Sequence, residues 1–338
     1  MRLPAEWERQ SFVQLTFPHS LTDWHPILSE VLECYYHIIE CIIRYEPVVI
    51  MAHDKELAQS VLCGLPDVCI IPCKSNDTWT RDHGFITCED NDRLYFKDFQ
   101  FNGWGLKFAS NYDNQLNRKL WESGILEGVY ENHLDFVLEG GSIESDGCGT
   151  LLTTSCCLLA SNRNSTLNRS EIEMRLMEYL GADRVLWLES GSLEGDDTDG
   201  HIDTLARLCP NDTIVYVECL DHSDRHYSSL SKMKLELSSF RTSCGKPYHL
   251  IGLPMANPIY DEMGDRLPAT YANYLVINGA VLYPTYNQPT NDMKAKRCLE
   301  EAYPGRDIIG IDCRVLIRQH GSLHCCTMQY PEKMIDER

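Results

Sequence analysis

The chain is short of basic residues: 30 lysines and arginines stand against 50 aspartates and glutamates, a formal charge of −20 over 338 residues. That deficit argues against nucleic acid and anionic membranes as partners and suits a small cation. Long apolar runs are missing as well. No stretch approaches the roughly 20 apolar residues of a membrane span, and Met1-Arg2-Leu3-Pro4-Ala5-Glu6-Trp7-Glu8-Arg9 carries no apolar signal core, so the sequence reads as cytoplasmic. The 16 cysteines include no Cys-x-x-Cys pair, which removes the commonest structural zinc pattern. They are expected as reduced thiols, most of them small buried residues. Linkers and low-complexity tracts are also absent. A chain with 43% hydrophobic residues and no such breaks reads as a single domain over 1–338 with a substantial core.

What is present is an alternation of helical and strand-like segments, hence an α/β fold. Apolar residues recurring at three and four from Leu21 to Tyr45 predict an amphipathic helix, and Asn168 or Ser170 is placed to cap another that runs to Leu180. Short apolar strands are expected at Val48–Met51, Val68–Ile71, Leu94–Phe101, Val185–Glu189, Thr213–Glu218 and Tyr248–Leu253, among others. Five times a glycine opens a strand behind a polar residue, directly at Gly84, Gly200, Gly279 and Gly321 and across Gly140 at Gly141, with intervals of 57, 59, 79 and 42 residues. Five supersecondary units around an axis would make a propeller whose turns meet at the centre.

Those turns carry the chemistry-bearing residues. Asp196 to Asp203 packs four carboxylates and one imidazole into eight residues. If a strand leaves Gly200, His201 and Asp203 project from the same face. Convergence of the turns would add Asp82, Glu139 and a thiol from Cys325 or Cys326. Such a set could hold a metal, but no helical His-x-x-x-His spacing occurs and the thiol is remote in sequence. Cysteine nucleophilic catalysis on a planar cation fits better. A guanidinium presents a fork of donors that Asp82 and Asp203 can clamp, its central carbon is electrophilic, and the bound cation lowers the thiol pKa. His201 can then protonate the leaving nitrogen and later activate water.

The segments Asp77-Thr78-Trp79-Thr80-Arg81-Asp82, Glu139-Gly140-Gly141-Ser142, Asp197-Thr198-Asp199-Gly200-His201-Ile202-Asp203 and His324-Cys325 resemble the motifs of the agmatine deiminase and bacterial-type peptidylarginine deiminase family. Pro4-Ala5-Glu6-Trp7-Glu8 and Phe101-Asn102-Gly103-Trp104-Gly105 resemble it too, and the motifs run through nearly the whole chain in order. The resemblance implies a five-bladed α/β propeller of ββαβ-type units in the guanidine-modifying superfamily, with no metal or organic cofactor. It implies Cys325 as nucleophile, His201 as general acid/base, Asp82 and Asp203 as guanidinium-binding aspartates, and Glu139 as the glutamate orienting histidine and substrate. Trp79 would form a pocket wall, Asp197 would help define the site, and Arg81 would pair structurally with a carboxylate. Asp196 and Asp199 are left as solvated turn residues.

His320-Gly321-Ser322 stands where the family has a run of glycines, and Cys326 replaces an apolar residue. Alternation sends Cys325 and Cys326 to opposite faces, and the family register selects Cys325. The expected substrate is agmatine, giving N-carbamoylputrescine on the way to putrescine. Peptidyl-arginine is the alternative substrate, and free arginine would want a basic clamp that the sequence does not offer. A non-enzymatic binding propeller has no use for the Cys, His and acidic set. The expected partner is a small guanidinium substrate, without nucleic acid or membrane, and assembly into a homo-oligomer stays open.

Overall fold

The computed structural model describes residues 1–332, and the architecture is a mixed α/β fold built on five small sheets. The first holds β1 (Gln10–Phe17), β2 (Val48–Ala52) and β3 (Val68–Pro72), all parallel. The second is β4 (Ile86–Asp90), β5 (Arg93–Gln100) and β6 (Val129–Val137), and the third is β7 (Ile143–Ser145), β8 (Thr150–Thr154) and β9 (Arg184–Leu188). The fourth is β10 (Ala206–Cys209), β11 (Thr213–Glu218) and β12 (His249–Pro254), and the fifth is β13 (Leu275–Ile277), β14 (Ala280–Thr285) and β15 (Asp307–Asp312). Each of these four opens with an antiparallel hairpin and adds a parallel third strand after a helical crossover. The final strand, β16 (Thr327–Pro331), returns antiparallel to β1, so the first sheet has the same plan with its hairpin partners at opposite ends of the chain.

The crossover helices follow their sequence signals. Leu28–Ile42 buries Val31, Tyr35, Ile38, Ile39 and Ile42 on one stripe. It begins later than Leu21 because Pro26 sits in a short turn ahead of it. Arg169–Leu180 starts at Asn168, whose side chain accepts from the Glu171 N–H while Glu171 caps the Asn168 N–H in return. That reciprocal pair selects Asn168 over Ser170 as the cap. Two strands escape the sequence reading. β1 alternates apolar and polar residues from Val13 to Phe17 yet buries both faces, Gln14 and Thr16 included, with Tyr330 donating to Gln14. β6 carries polar residues along most of its length.

One large apolar cluster joins the first, fourth and fifth sheets to their helices, with two smaller ones under the second and third. All 16 cysteines are free thiols, nine of them buried. Among the described residues no helix is long and apolar enough to cross a membrane.

The first strand of every hairpin is preceded by a short irregular segment that carries a site residue: Asp82 before β4, Glu139 before β7, His201 and Asp203 before β10, and His324 and Cys325 before β16. The glycine repeat fails at its fourth member. Gly279 is the tip of the β13–β14 hairpin, beside Tyr45 and away from the other turns, and the segment before β13 contributes Asn273 instead.

Candidate active site

Asp82, Glu139, His201, Asp203 and Cys325 converge although they come from four separate segments, and all are buried. The Asp199-Gly200 pair that precedes His201 has left-handed backbone, φ +67° and +87°. Asp196 builds this turn by accepting from the N–H groups of Thr198 and Gly200 at 3.0 and 2.6 Å. No strand follows directly: Ile202–Thr204 is a 3₁₀ turn and β10 starts only at Ala206. His201 and Asp203 therefore reach the site from a tight turn, not from one face of a strand, and they do so on different sides of it.

On one side, His201 Nδ1 lies 3.5 Å from Asp82 Oδ1 and Nε2 lies 3.9 Å from Glu139 Oε2. Neither ring nitrogen has a closer hydrogen-bond partner. Asp82 is held by Trp104, whose Nε1–H donates to Oδ2 at 2.9 Å, and by the Gly141 N–H, which donates to Oδ1 at 3.0 Å. Glu139 receives Arg163 Nε at 3.0 and 2.9 Å, and the same guanidinium donates to Asp199 Oδ2 at 2.7 Å and to the Thr198 carbonyl at 2.8 Å. Asp199 is thus no solvated turn residue: it anchors Arg163 and also receives Lys107 at 2.7 Å. Arg163 ties the Glu139 segment to the His201 turn, and no local sequence signal marks it.

On the other side, Asp203 Oδ2 accepts from His324 Nδ1 at 2.8 Å and from Asn273 Nδ2 at 3.1 Å, while the Cys325 thiol lies 3.8 Å away. Asp203 Oδ1 is buried with no partner at all, an acceptor waiting for a donor. Asn273 Oδ1 accepts from the N–H groups of His324 and Cys325 at 3.0 and 3.3 Å and from the Cys325 thiol at 3.4 Å. It fixes the turn that carries the cysteine. That turn is not a strand, yet the two thiols still part: Cys325 lines the pocket, whereas Cys326 is buried beside Tyr35 and Cys34.

Above Cys325 and Asp82 opens a cavity of about 160 Å³, with Trp79, Trp104 and Phe108 as walls and Asp23, Asp77 and Asp197 also in its lining. Among the described residues neither lysine nor arginine lines it. Glu139, His201 and Asp203 stand behind its floor. Gly321 is required beside Trp79, since a Cβ there would fall 2.3 Å from the indole ring. Arg81 points away and pairs with Glu6 at 3.2 Å.

Burial raises the Asp82 pKa to about 6, with Asp203 and Glu139 adding to the rise and His201 opposing it. Burial also raises Asp77 to about 7, and nearby Asp23 adds to that. The Cys325 thiol is pushed well above its ordinary value by burial and by the two aspartates. Burial pulls His201 down, but Asp82, Cys157 and Glu139 outweigh it and hold the ring well above its usual value. Burial would raise Asp203 too, yet His324, His201 and Arg207 keep it below the usual carboxylate range. The empty site therefore has a neutral thiol, a protonated imidazole and carboxylates short of counter-charge, and a planar cation supplies what it lacks.

Glu139, Cys157 and His201 place donor atoms within 4.8 Å of one another, a grouping that could hold a metal ion. The Arg163 guanidinium already occupies both Glu139 oxygens, so a second cation would have to displace it. Cys157, like Asn273, Arg163, Asp23 and Asp77, is absent from the predicted site. Asp77 and the Trp104 loop at least lie in recognised motifs, and Asn273 has no local mark.

A profile of the Porphyromonas-type peptidyl-arginine deiminases matches residues 2–331. Among solved structures, a candidate arginine deiminase from Porphyromonas gingivalis is 50% identical with a TM-score of 0.93, covering 98% of this chain and 99% of that one. An agmatine deiminase from C. jejuni with substrate bound is 40% identical with a TM-score of 0.92, covering 99% and 97%. The agmatine deiminase of Stutzerimonas stutzeri is 30% identical over 98% of this chain and 96% of its own length.

Proposed function

The chain belongs to the Porphyromonas-type peptidyl-arginine deiminase family of guanidine-modifying hydrolases, and on that premise we propose that it is an agmatine deiminase, converting agmatine and water to N-carbamoylputrescine and ammonia. The observation that carries this reading is the pocket lining. Agmatine ends in an ammonium, which the Asp23, Asp77 and Asp197 carboxylates of the lining and the Trp79 face attract. Free arginine ends in a carboxylate, which the same wall repels and no lining cation offsets. A cavity of about 160 Å³ is also small beside the ~300–1,000 Å³ of sites for drug-sized ligands, which favours a slender amine over a peptide. The similarity to the substrate-bound agmatine deiminase points the same way.

The proposed roles follow from the geometry. Asp82 and Asp203 clamp the guanidinium, Asp203 through its free Oδ1. The cation's charge lowers the Cys325 pKa, the thiol loses its proton to bulk water, and the Sγ thiolate forms a bond to the guanidinium carbon. His201, protonated at the start, donates to the departing amino group as the C–N bond breaks and ammonia leaves. It then takes a proton from water, which attacks the same carbon, and the C–S bond breaks to release the ureido product. Glu139, fixed by Arg163, orients the imidazole, while Trp79 and Asp197 shape the entrance.

The chain over 1–338 is read as one domain, with its five sheets as the blades of a pseudo-fivefold propeller. Support comes from the repeated hairpin-plus-parallel-strand plan and from the site residues standing before the first strand of each hairpin. The function is tested by supplying agmatine, free arginine and a blocked peptidyl-arginine separately and measuring ammonia and ureido product. The expected order is agmatine far ahead of the other two. Peptidyl-arginine as the best substrate would replace this reading, and no ureido product from any of the three would end it.

A further inference from the structure

Behind Asp203 the hydrogen bonds continue. His324, whose Nδ1 faces Asp203 Oδ2 at 2.8 Å, has its Nε2 2.7 Å from Glu6 Oε1 and 3.1 Å from Arg207 Nη2. Glu6 comes from the N-terminal segment, more than 300 residues earlier in the chain. Arg207 binds Glu6 and Glu144 together, and Arg81 lies 3.2 Å from Glu6. His324 is thus a fully buried ring with a carboxylate oxygen at each nitrogen and guanidinium groups of Arg207 and Arg81 nearby. Both nitrogens donate to their carboxylates only when each carries hydrogen, and Glu6 favours that second proton against burial and the Arg207 and Arg81 charges, which together lower the His324 pKa.

We propose that Glu6 and His324 are positioning residues for the reaction: the chain Glu6, His324, Asp203 fixes one oxygen of the Asp203 carboxylate and turns the other into the site. This rests on the guanidine-hydrolase reading above and deepens it, because it makes the N-terminal segment a working part of the active site. A charged Glu6 holds the ring so that its Nδ1–H stays on the ionised Asp203 oxygen, and without it the ring loses its second anchor and that charge-assisted bond its fixed direction.

A second cavity provides the test. It has a volume of about 70 Å³, is lined by Glu6, Arg81 and Glu144, and shares no lining residue with the substrate pocket. Arg81 Nε, Thr87 Oγ1 and Gln10 Oε1 border it without partners. Removing the Glu6 carboxylate enlarges this cavity toward His324 Nε2, so a small carboxylate from solution can take its place.

The experiment measures kcat and KM for agmatine, per titrated active-site thiol, in wild type, Glu6→Ala, Glu6→Gln, His324→Asn and the Glu6→Ala/His324→Asn pair. Glu6→Ala and Glu6→Gln lose roughly 10- to 100-fold in kcat/KM, the range for one hydrogen bond to a charged group. Formate restores part of the Glu6→Ala loss and neutral formamide restores none. The double variant falls no further than His324→Asn alone, since Glu6 acts through that ring. Wild-type kcat/KM in both Glu6 variants, equal rescue by formamide, or additive losses would each overturn the proposal. Should Glu6→Ala fold poorly, the isosteric Glu6→Gln and the histidine variant decide. A wild-type enzyme that makes no ureido product from agmatine would instead refute the deiminase reading itself.

Discussion

Gly141 offers the sharpest perturbation, because one methyl group there would enter the reacting centre without disturbing a special backbone. A Cβ on this residue would lie 2.7 Å from His201 Nδ1, 2.8 Å from Asp82 Oδ1 and 3.1 Å from Asp203 Oδ2. Its φ is outside the left-handed region, so alanine is tolerated by the chain itself. Carbon needs about 3.5 Å from such atoms, so three groups must each retreat by several tenths of an ångström. Two of them are the proposed clamps for the guanidinium and the third is the proposed proton donor. Displacement of reacting groups on the scale of 1 Å costs about 100-fold, and here three groups shift together, so Gly141→Ala should lower kcat/KM by about that much. Overpacking should cost about 1–3 kcal/mol of stability, leaving most of the protein folded. Ureido-product formation from agmatine and a thermal melt on the same preparation separate the two effects. A folded Gly141→Ala enzyme within threefold of wild type would refute the placement of His201, Asp82 and Asp203 around one reacting centre.

Cys325→Ser should abolish turnover while Cys326→Ser keeps most of it, because only Cys325 opens to the pocket; the reverse pattern in a steady-state assay would move the nucleophile by one residue. The pKa values near 6 for Asp82 and near 7 for Asp77 place the acid limb of kcat/KM between those values, activity falling as pH drops and the Asp82 clamp and the Asp77 carboxylate of the lining take up protons. A bound cation favours the ionised carboxylates, so the acid limb of kcat should lie at lower pH, and coincident limbs would contradict the clamp. Arg163→Met leaves Glu139 buried without its partner and should cost about 3–5 kcal/mol in denaturant unfolding. A loss below 1 kcal/mol would show that the pair is not what ties the two segments.

The residues that were legible in the sequence are those whose chemistry sits in a local motif. Asp82, Glu139, His201, Asp203 and Cys325 each stand in a short polar segment before a strand, and strand spacing was enough to suggest that such segments meet. What failed was local geometry. A glycine before a strand marks both a site turn and a hairpin tip, so Gly279 was indistinguishable from Gly200, and Asn273 went unseen because its work is done by an amide with no motif around it. Arg163 and Asp199 were illegible for a different reason. Their pairing with each other and with Glu139 exists only once three distant segments have packed, and an acidic turn residue looks the same whether it meets water or a buried guanidinium. The strand β6 was hidden by the polar residues along its length, which break the period that marks a strand, whereas β1 keeps that period from Val13 to Phe17 and was missed all the same.

The account turns on a covalent intermediate at Cys325. Acid-quenching the enzyme during agmatine turnover and digesting it for mass spectrometry tests this most directly. The account predicts the peptide containing Cys325 and Cys326 to gain the mass of agmatine less ammonia, to keep that gain in Cys326→Ser, and to lose it in Cys325→Ser. Sustained turnover with no adduct on that peptide, or an adduct that survives Cys325→Ser, would contradict it.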